Sequence, residues 1–142
     1  MIPKRGCQVF LATSCSPDAE KEAAQEFPFY VRLAEEIKRQ VGINTFLPHR
    51  DAPPNTEDEK LYTLMQKNIM RSDIILADIG APSTDVGIMI GIANGVMVPI
   101  IPFYRSNATP QVRGLNIDPL IVRTDEQGIK DITTFVKQFY NA

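Results

Sequence analysis

The stretch from Ser72 to Gly95, S-D-I-I-L-A-D-I-G-A-P-S-T-D-V-G-I-M-I-G-I-A-N-G, constrains the fold of this chain more than any other. From Ile74 to Ile79 every residue is apolar except Asp78, and Gly80, Pro82 and Ser83 follow before small and apolar residues run on to Asn94 and Gly95. Such an aliphatic run suits a strand buried on both faces, as strands of a parallel sheet are. Ser83, Thr84 or Asp85 can cap the first free amides of a following helix, so the stretch reads as strand, tight loop and helix. A helix N-terminus then sits at the carboxyl end of a strand, where anionic or strongly polar ligands bind in open α/β sheets. An ordinary strand-to-helix turn with a capping serine has the same local pattern.

The rest of the chain continues the alternation. Cys7 to Thr13 reads as the first strand, followed by a polar turn whose Ser14 and Ser16 either meet a ligand or satisfy their own backbone. A helix is expected over Pro28 to Val41, with Phe29, Leu33 and Ile37 at helical spacing and Gly42 as its stop. Ile43 to Leu47 is a second strand. Pro48 to Asn55 reads as a proline-stiffened loop that can hold His49, Arg50 and Asp51 toward a pocket, although a loop histidine is also commonly just solvated. Thr56 and Glu59 fit a capping box opening a helix to about Arg71, with Leu61, Leu64, Met65, Ile69 and Met70 as its apolar stripe. After the central stretch, Val96 to Phe103 is another strand, in which Pro99 and Pro102 argue for an edge position or a short strand. Arg105, Ser106 and Asn107 open a polar loop just past it. Asp118 to Val122 makes a short last strand, and Asp125 to Tyr140 a terminal helix with Ile129, Ile132, Phe135, Val136 and Phe139 on its apolar side. Strands alternating with helices imply an α/β, Rossmann-like three-layer sandwich with a central, mostly parallel sheet of about five strands. One domain over residues 1–142 is expected, without repeats or a linker.

Composition narrows the partners. The chain has 142 residues, 44% of them hydrophobic, enough for one substantial core. A formal net charge of −2 supplies no general attraction to a nucleic acid polymer or an anionic membrane, so any phosphate site must be local. No apolar stretch approaches bilayer length, and nothing resembles a signal peptide. Cys7 and Cys15 would lie at opposite ends of one strand, too far apart for a disulfide, which fits a reducing cytoplasm. One histidine argues against a metal enzyme, and the phosphate-loop, dinucleotide and nucleophile-elbow motifs are missing. What remains is a set of loops at the presumed carboxyl ends of strands, carrying Ser14, Ser16, His49, Arg50, Asp51, Ser83, Thr84, Asp85, Arg105, Ser106 and Asn107. Hydroxyls, backbone amides and one or two arginines suit a sugar or a phosphate.

The order of V-F-L-A-T-S near the start, F-L-P-H-R-D after the second strand, S-D-I-I-L-A-D-I-G-A-P-S and V-G-I-M-I-G-I-A-N-G resembles the nucleoside 2-deoxyribosyltransferase family, which includes the deoxynucleoside 5'-monophosphate N-glycosidases. The resemblance covers about Gln8 to Tyr104. It implies a Rossmann-like fold, a homo-oligomer with sites near subunit contacts, no separate cofactor, and chemistry at the N-glycosidic bond of a nucleoside or nucleoside 5'-monophosphate. It also matches Ser14 and Ser83 to serines that contact phosphate or sugar, Gly87 to a point of close approach, and His49 to a histidine lining the pocket. Arg50 and Arg105 are further binding candidates, against the ordinary reading of a solvated arginine.

The catalytic pattern departs from the family's. Its V-G-x-E-x-G motif places the glutamate nucleophile where this chain has Met89, and its assisting aspartate falls on Met65. A thioether cannot act as either, and methionine on an apolar helix is normally packing. Three readings follow. The chain binds a nucleoside or nucleotide without transferase chemistry; or another carboxylate substitutes, Asp85 being one helical turn before Met89 on the same face; or the methionines are engineered replacements in a once-active enzyme. Asp85 also has the plainer role of a first-turn carboxylate favoured by the helix dipole.

Overall fold

The computed structural model describes residues 7–13, 19–53, 55–80, 83–112, 114–115 and 117–141, with the backbone alone over 19–26. Among them are five strands, β1 (Gln8–Ala12), β2 (Asn44–Phe46), β3 (Ile74–Asp78), β4 (Ile100–Arg105) and β5 (Leu120–Val122), paired in parallel in the order β2-β1-β3-β4-β5. Five helices connect and cover them: α1 (Ala19–Val41), α2 (Pro48–Asp51), α3 (Asp58–Arg71), α4 (Thr84–Gly95) and α5 (Asp125–Asn141). The fold is the expected Rossmann-like α/β sandwich, and its sheet is parallel throughout.

Strand alternation builds the two core layers. Val9, Leu11, Ile74, Leu76, Ile101 and Phe103 point to one face, where Phe29, Leu33 and Ile37 of α1 and Ile129, Ile132 and Val136 of α5 cover them. Phe10, Ala12, Ile75 and Ala77 point to the other, under Met65 and Ile69 of α3 and Val86, Met89, Ile90 and Ala93 of α4. All five residues of β3 are buried, as a strand covered on both faces requires. The chain leaves β1 toward β2 on one side and returns to β3 on the other, so the sheet order reverses between β1 and β3.

Several boundaries differ from those expected. Helix α1 starts at Ala19 and contains Pro28; the segment before that proline is rich in Ala, Glu and Lys, whose helix preference offsets one lost hydrogen bond. The expected loop after β2 opens with a turn of helix, α2, which Pro48 suits because its missing amide is among those a helix start leaves unpaired. The capping box is not formed. Thr56 donates its hydroxyl to the Pro53 carbonyl, closing a turn through Asn55 at φ 59°, and α3 begins at Asp58 behind Glu57 without a side-chain cap. The apolar stripe of α3 is also narrower than expected: Met65 and Ile69 are buried, whereas Met70 is 48% exposed because it lies a further third of a turn round the helix.

Strand β4 is internal despite its prolines. The carbonyls of Pro99 and Phe103 accept from the amides of Ile75 in β3 and of Ile79 just past it, so Pro102, in the alternate orientation, faces β5. Pairing with β5 begins only at Phe103 opposite Leu120, and the missing amide of Pro102 therefore interrupts no ladder bond. Gly42 ends α1 as expected, at φ 79° with its amide on the Lys38 carbonyl.

Candidate functional site

The first group of candidate residues lies at the carboxyl end of β3. Ser83 caps α4, its hydroxyl oxygen accepting from the Val86 amide at 3.2 Å, so the capping serine of the central stretch is formed. Asp85, half-buried, lies in the first turn. A side-chain carbon at Gly87 would meet nothing within 4 Å, so the chain itself makes no close approach there and that side of the helix is open. Asp78, the polar interruption of β3, is buried; its carboxylate accepts from the Tyr30 hydroxyl at 2.5 Å and from the Gly80 amide at 3.0 Å.

Met65 and Met89 come together in the apolar layer beneath α3 and α4, at 7% and 0% exposure. Each packs among aliphatic and aromatic side chains of the sheet and its neighbouring helix. Asp85 stands one turn nearer the loop than Met89.

A second group sits beyond β2. His49, half-buried on α2, meets Phe27 edge-on, with ring centroids 6.4 Å apart. Arg50 donates to the Thr45 carbonyl at 2.6 Å and to both oxygens of Asp51 at 2.9 and 3.0 Å. Asp51 in turn accepts from the Leu47 amide at 2.8 Å. Partial burial opposes the ionisation of Asp51, but the Arg50 hydrogen bond, the Leu47 amide and the Arg50 charge outweigh it and hold the carboxyl below its ordinary value. This cluster secures the start of α2 on an edge strand.

The third group ends β4. Arg105 lies over the Phe29 ring at 4.6 Å from its centroid and pairs with Asp125, at the start of α5, at 2.5 Å. Ser106 and Asn107 occupy the turn that follows, the Ser106 amide bonding the Val122 carbonyl at 2.9 Å. Arg50 and Arg105 are rooted three strand spacings apart, about 14 Å, and each turns to its own partners. They do not converge as one phosphate clamp. Ser14 and Ser16 lie outside the described residues.

Tyr30 and Asp125 did not stand out from the sequence, and Asp78 did so only as an interruption. A charged residue inside an otherwise apolar strand is a usable signal, since it must find partners to be buried; nothing local announces Tyr30, which is 48 residues away. Among the described residues no group of three or more His, Cys, Asp or Glu side chains is placed to hold a metal ion, and no helix is long and apolar enough to cross a membrane.

Fold and site together define a Rossmann-like α/β protein with a capped helix N-terminus beside its topological switch point. No family model matches the sequence, and no curated protein matches it. Solved structures do match. One is the CMP N-glycosidase BcmB of Clostridium botulinum, 18% identical, with a TM-score of 0.64 over 90% of this chain and 98% of that one. Another is a conserved protein from Enterococcus faecalis V583, 17% identical, with a TM-score of 0.63 over 92% of this chain and 99% of that one. At these identities the likeness is one of fold.

Proposed function

We propose that this chain is a nucleoside- or nucleotide-binding protein of the nucleoside 2-deoxyribosyltransferase family, a single domain over residues 1–142 that takes a nucleoside 5'-monophosphate at the start of α4. The observation that carries the reading is the Ser83-capped N-terminus of α4 at the carboxyl end of the central strand, whose first-turn amides and dipole favour a phosphate or sugar hydroxyl. The whole-length fold likeness to a CMP N-glycosidase supports the same ligand class. Ser83 and the amides beyond it bind phosphate or ribose, with Ser14 and His49 toward the rest of the nucleotide. No cofactor is required.

Binding without glycosyl transfer is the form of the function that the methionines favour. Displacement at the anomeric carbon requires a carboxylate to form the glycosyl-enzyme bond as the bond to the base breaks. Met89 and Met65 supply none, and both are packed in the core. A second reading rests on Asp85, the carboxylate in the first turn of α4. There Asp85 takes a proton from water, the water oxygen bonds the anomeric carbon, and the base leaves with the electron pair of the broken C–N bond and is protonated. A homo-oligomer in the cytoplasm is part of the proposal. It is supported by α4, which is apolar nearly all round yet buried only through Val86, Met89, Ile90 and Ala93, leaving Ile88 42% exposed.

The test is a panel of nucleosides and 5'-monophosphates, CMP and dCMP included, with binding read by calorimetry and free base by chromatography on the same samples. Binding without base release is the expected result, weakened by Ser83→Ala. Base release that disappears in Asp85→Asn establishes the second reading instead. No binding of any compound refutes both.

A further inference from the structure

We propose that Tyr30 is a positioning residue for the candidate site, holding the β3–α4 turn in place through the carboxylate of Asp78. This rests on the α4 N-terminus being the binding end, but its central claim concerns the turn itself and is tested without ligand.

Asp78 is 7% exposed at the last position of the central strand, where an ionised group is costly unless its oxygens are bonded. Both are. Oδ2 accepts from Tyr30, which belongs to the α1 side of the sheet, and Oδ1 accepts from the Gly80 amide in the loop leading to α4. The carboxylate is thus a strut from the α1 layer, across the end of β3, to the loop that launches the helix on the opposite face.

Ile79 and Gly80 have little freedom to compensate. Ile79 is bonded at both backbone groups, its amide to the Phe103 carbonyl at 2.9 Å and its carbonyl from the Gln111 amide at 2.7 Å. Gly80 is closely hemmed: an added Cβ would lie 3.1 Å from the Tyr104 Cβ and 3.3 Å from the Ala108 Cβ. The bond through Asp78 ties the exit of β3 across the sheet to α1. Ser83, three residues past Gly80 in the sequence, caps the helix, so the Asp78 tie lies close to the first amides of α4. Loss of the Tyr30 hydroxyl leaves Asp78 to turn toward water and release the Gly80 amide.

Tyr30→Phe removes the hydroxyl and leaves the ring in place. Amide hydrogen exchange in the ligand-free protein is the deciding measurement, because it separates local from global opening. Exchange at Gly80 and Val86 is expected to accelerate about tenfold, the equivalent of one lost hydrogen bond to a charged group, while Leu11 in β1 and Ile132 in α5 change far less. In the parental background, Asp78→Asn is expected to keep near-parental exchange, since its amide group can donate to the Tyr30 oxygen while its carbonyl accepts from Gly80; Asp78→Ala is not. Calorimetry with CMP and with inorganic phosphate is expected to show affinity reduced about tenfold in Tyr30→Phe. Unchanged exchange at Gly80 and Val86, or acceleration of all four amides by the same factor, overturns the proposal. Should Tyr30→Phe not fold, the comparison of Asp78→Asn with Asp78→Ala decides it in the same way. If the parental protein binds neither CMP nor phosphate, the nucleotide reading falls while the exchange data still settle the positioning role.

Discussion

Met89→Glu places a carboxyl where the resemblance puts a nucleophile and the structure puts core. Met89 is 0% exposed, within an apolar layer that includes Phe10, Met65, Ile75 and Ile90. In such surroundings desolvation raises a glutamate's pKa above its unfolded value of about 4.3, by about 2–3 units where the group has no partner. The sign follows from proton linkage: with the folded pKa raised, the native state holds the proton longer than the unfolded chain, so stability falls as pH rises between the two values and is level above them. The loss is about 1.4 kcal/mol per pH unit in that window, or about 3–4 kcal/mol in all by pH 8. Met89→Gln removes the same apolar contacts without a titrating group and serves as the reference. Urea unfolding of both variants at intervals from pH 4 to pH 8 should show nearly equal stabilities at pH 4 and a gap that opens with pH until Met89→Glu is marginal, given an ordinary domain stability of about 5–15 kcal/mol. A gap that stays constant with pH would refute the reasoning. It would mean that position 89 reaches solvent or a charge partner, and that Met89 is the wall of an open site rather than packing. In that event recovered base release in the doubly substituted Met89→Glu, Met65→Asp protein would become the natural expectation.

Two further perturbations test other parts of the structure. Gly128→Ala should destabilise although alanine is the better helix former, because the new Cβ would lie 2.5 Å from Cγ1 and 3.2 Å from Cβ of Val122. An overpacking cost of about 1–3 kcal/mol against a propensity gain of about 1 kcal/mol leaves a fall in Tm of several degrees, which Val122→Ala in the same chain should partly relieve; an unchanged or higher Tm contradicts this. Asp51→Asn should lower stability at pH 7 within the about 0–1 kcal/mol that a solvent-screened pair supplies. Because the folded carboxyl is held below its unfolded value, the difference from the parental protein should vanish as pH falls through that lowered pKa, read by thermal melts from pH 7 to pH 2. A difference that persists at pH 2 would assign the effect to packing rather than charge.

Much of the fold was legible in order and period. The apolar run from Ile74 to Ile79, a cap among Ser83, Thr84 and Asp85, and the Gly42 stop were each readable from neighbouring residues; the strand forms over Ile74–Asp78, Ser83 is the cap and Gly42 ends α1. So was the parallel sheet, because strands separated by helices have few other ways to bury both surfaces. The failures share one cause. The capping-box pair at Thr56 and Glu59 had the right spacing, but the Thr56 hydroxyl donates to the Pro53 carbonyl instead of accepting from the Glu59 amide. Pro99 and Pro102 suggested an edge position or a short strand; the strand is internal, because the missing amide of Pro102 faces β5 where no ladder bond is due.

The site divides along the same line. Sequence alone determined that polar loops would gather at one end of the strands and that a capped helix would start there, since turn chemistry and hydrophobic period act over a few residues. Only the tertiary structure decided what each polar group does. It turned Arg50 to Thr45 and Asp51, laid Arg105 on Phe29 beside Asp125, sank Met65 and Met89 into one layer, and joined Tyr30 to Asp78 across 48 residues. A hydrogen bond or ion pair depends on which atoms distant segments bring within about 3 Å, and that distance is set by the packing of the whole sheet, which no local pattern encodes.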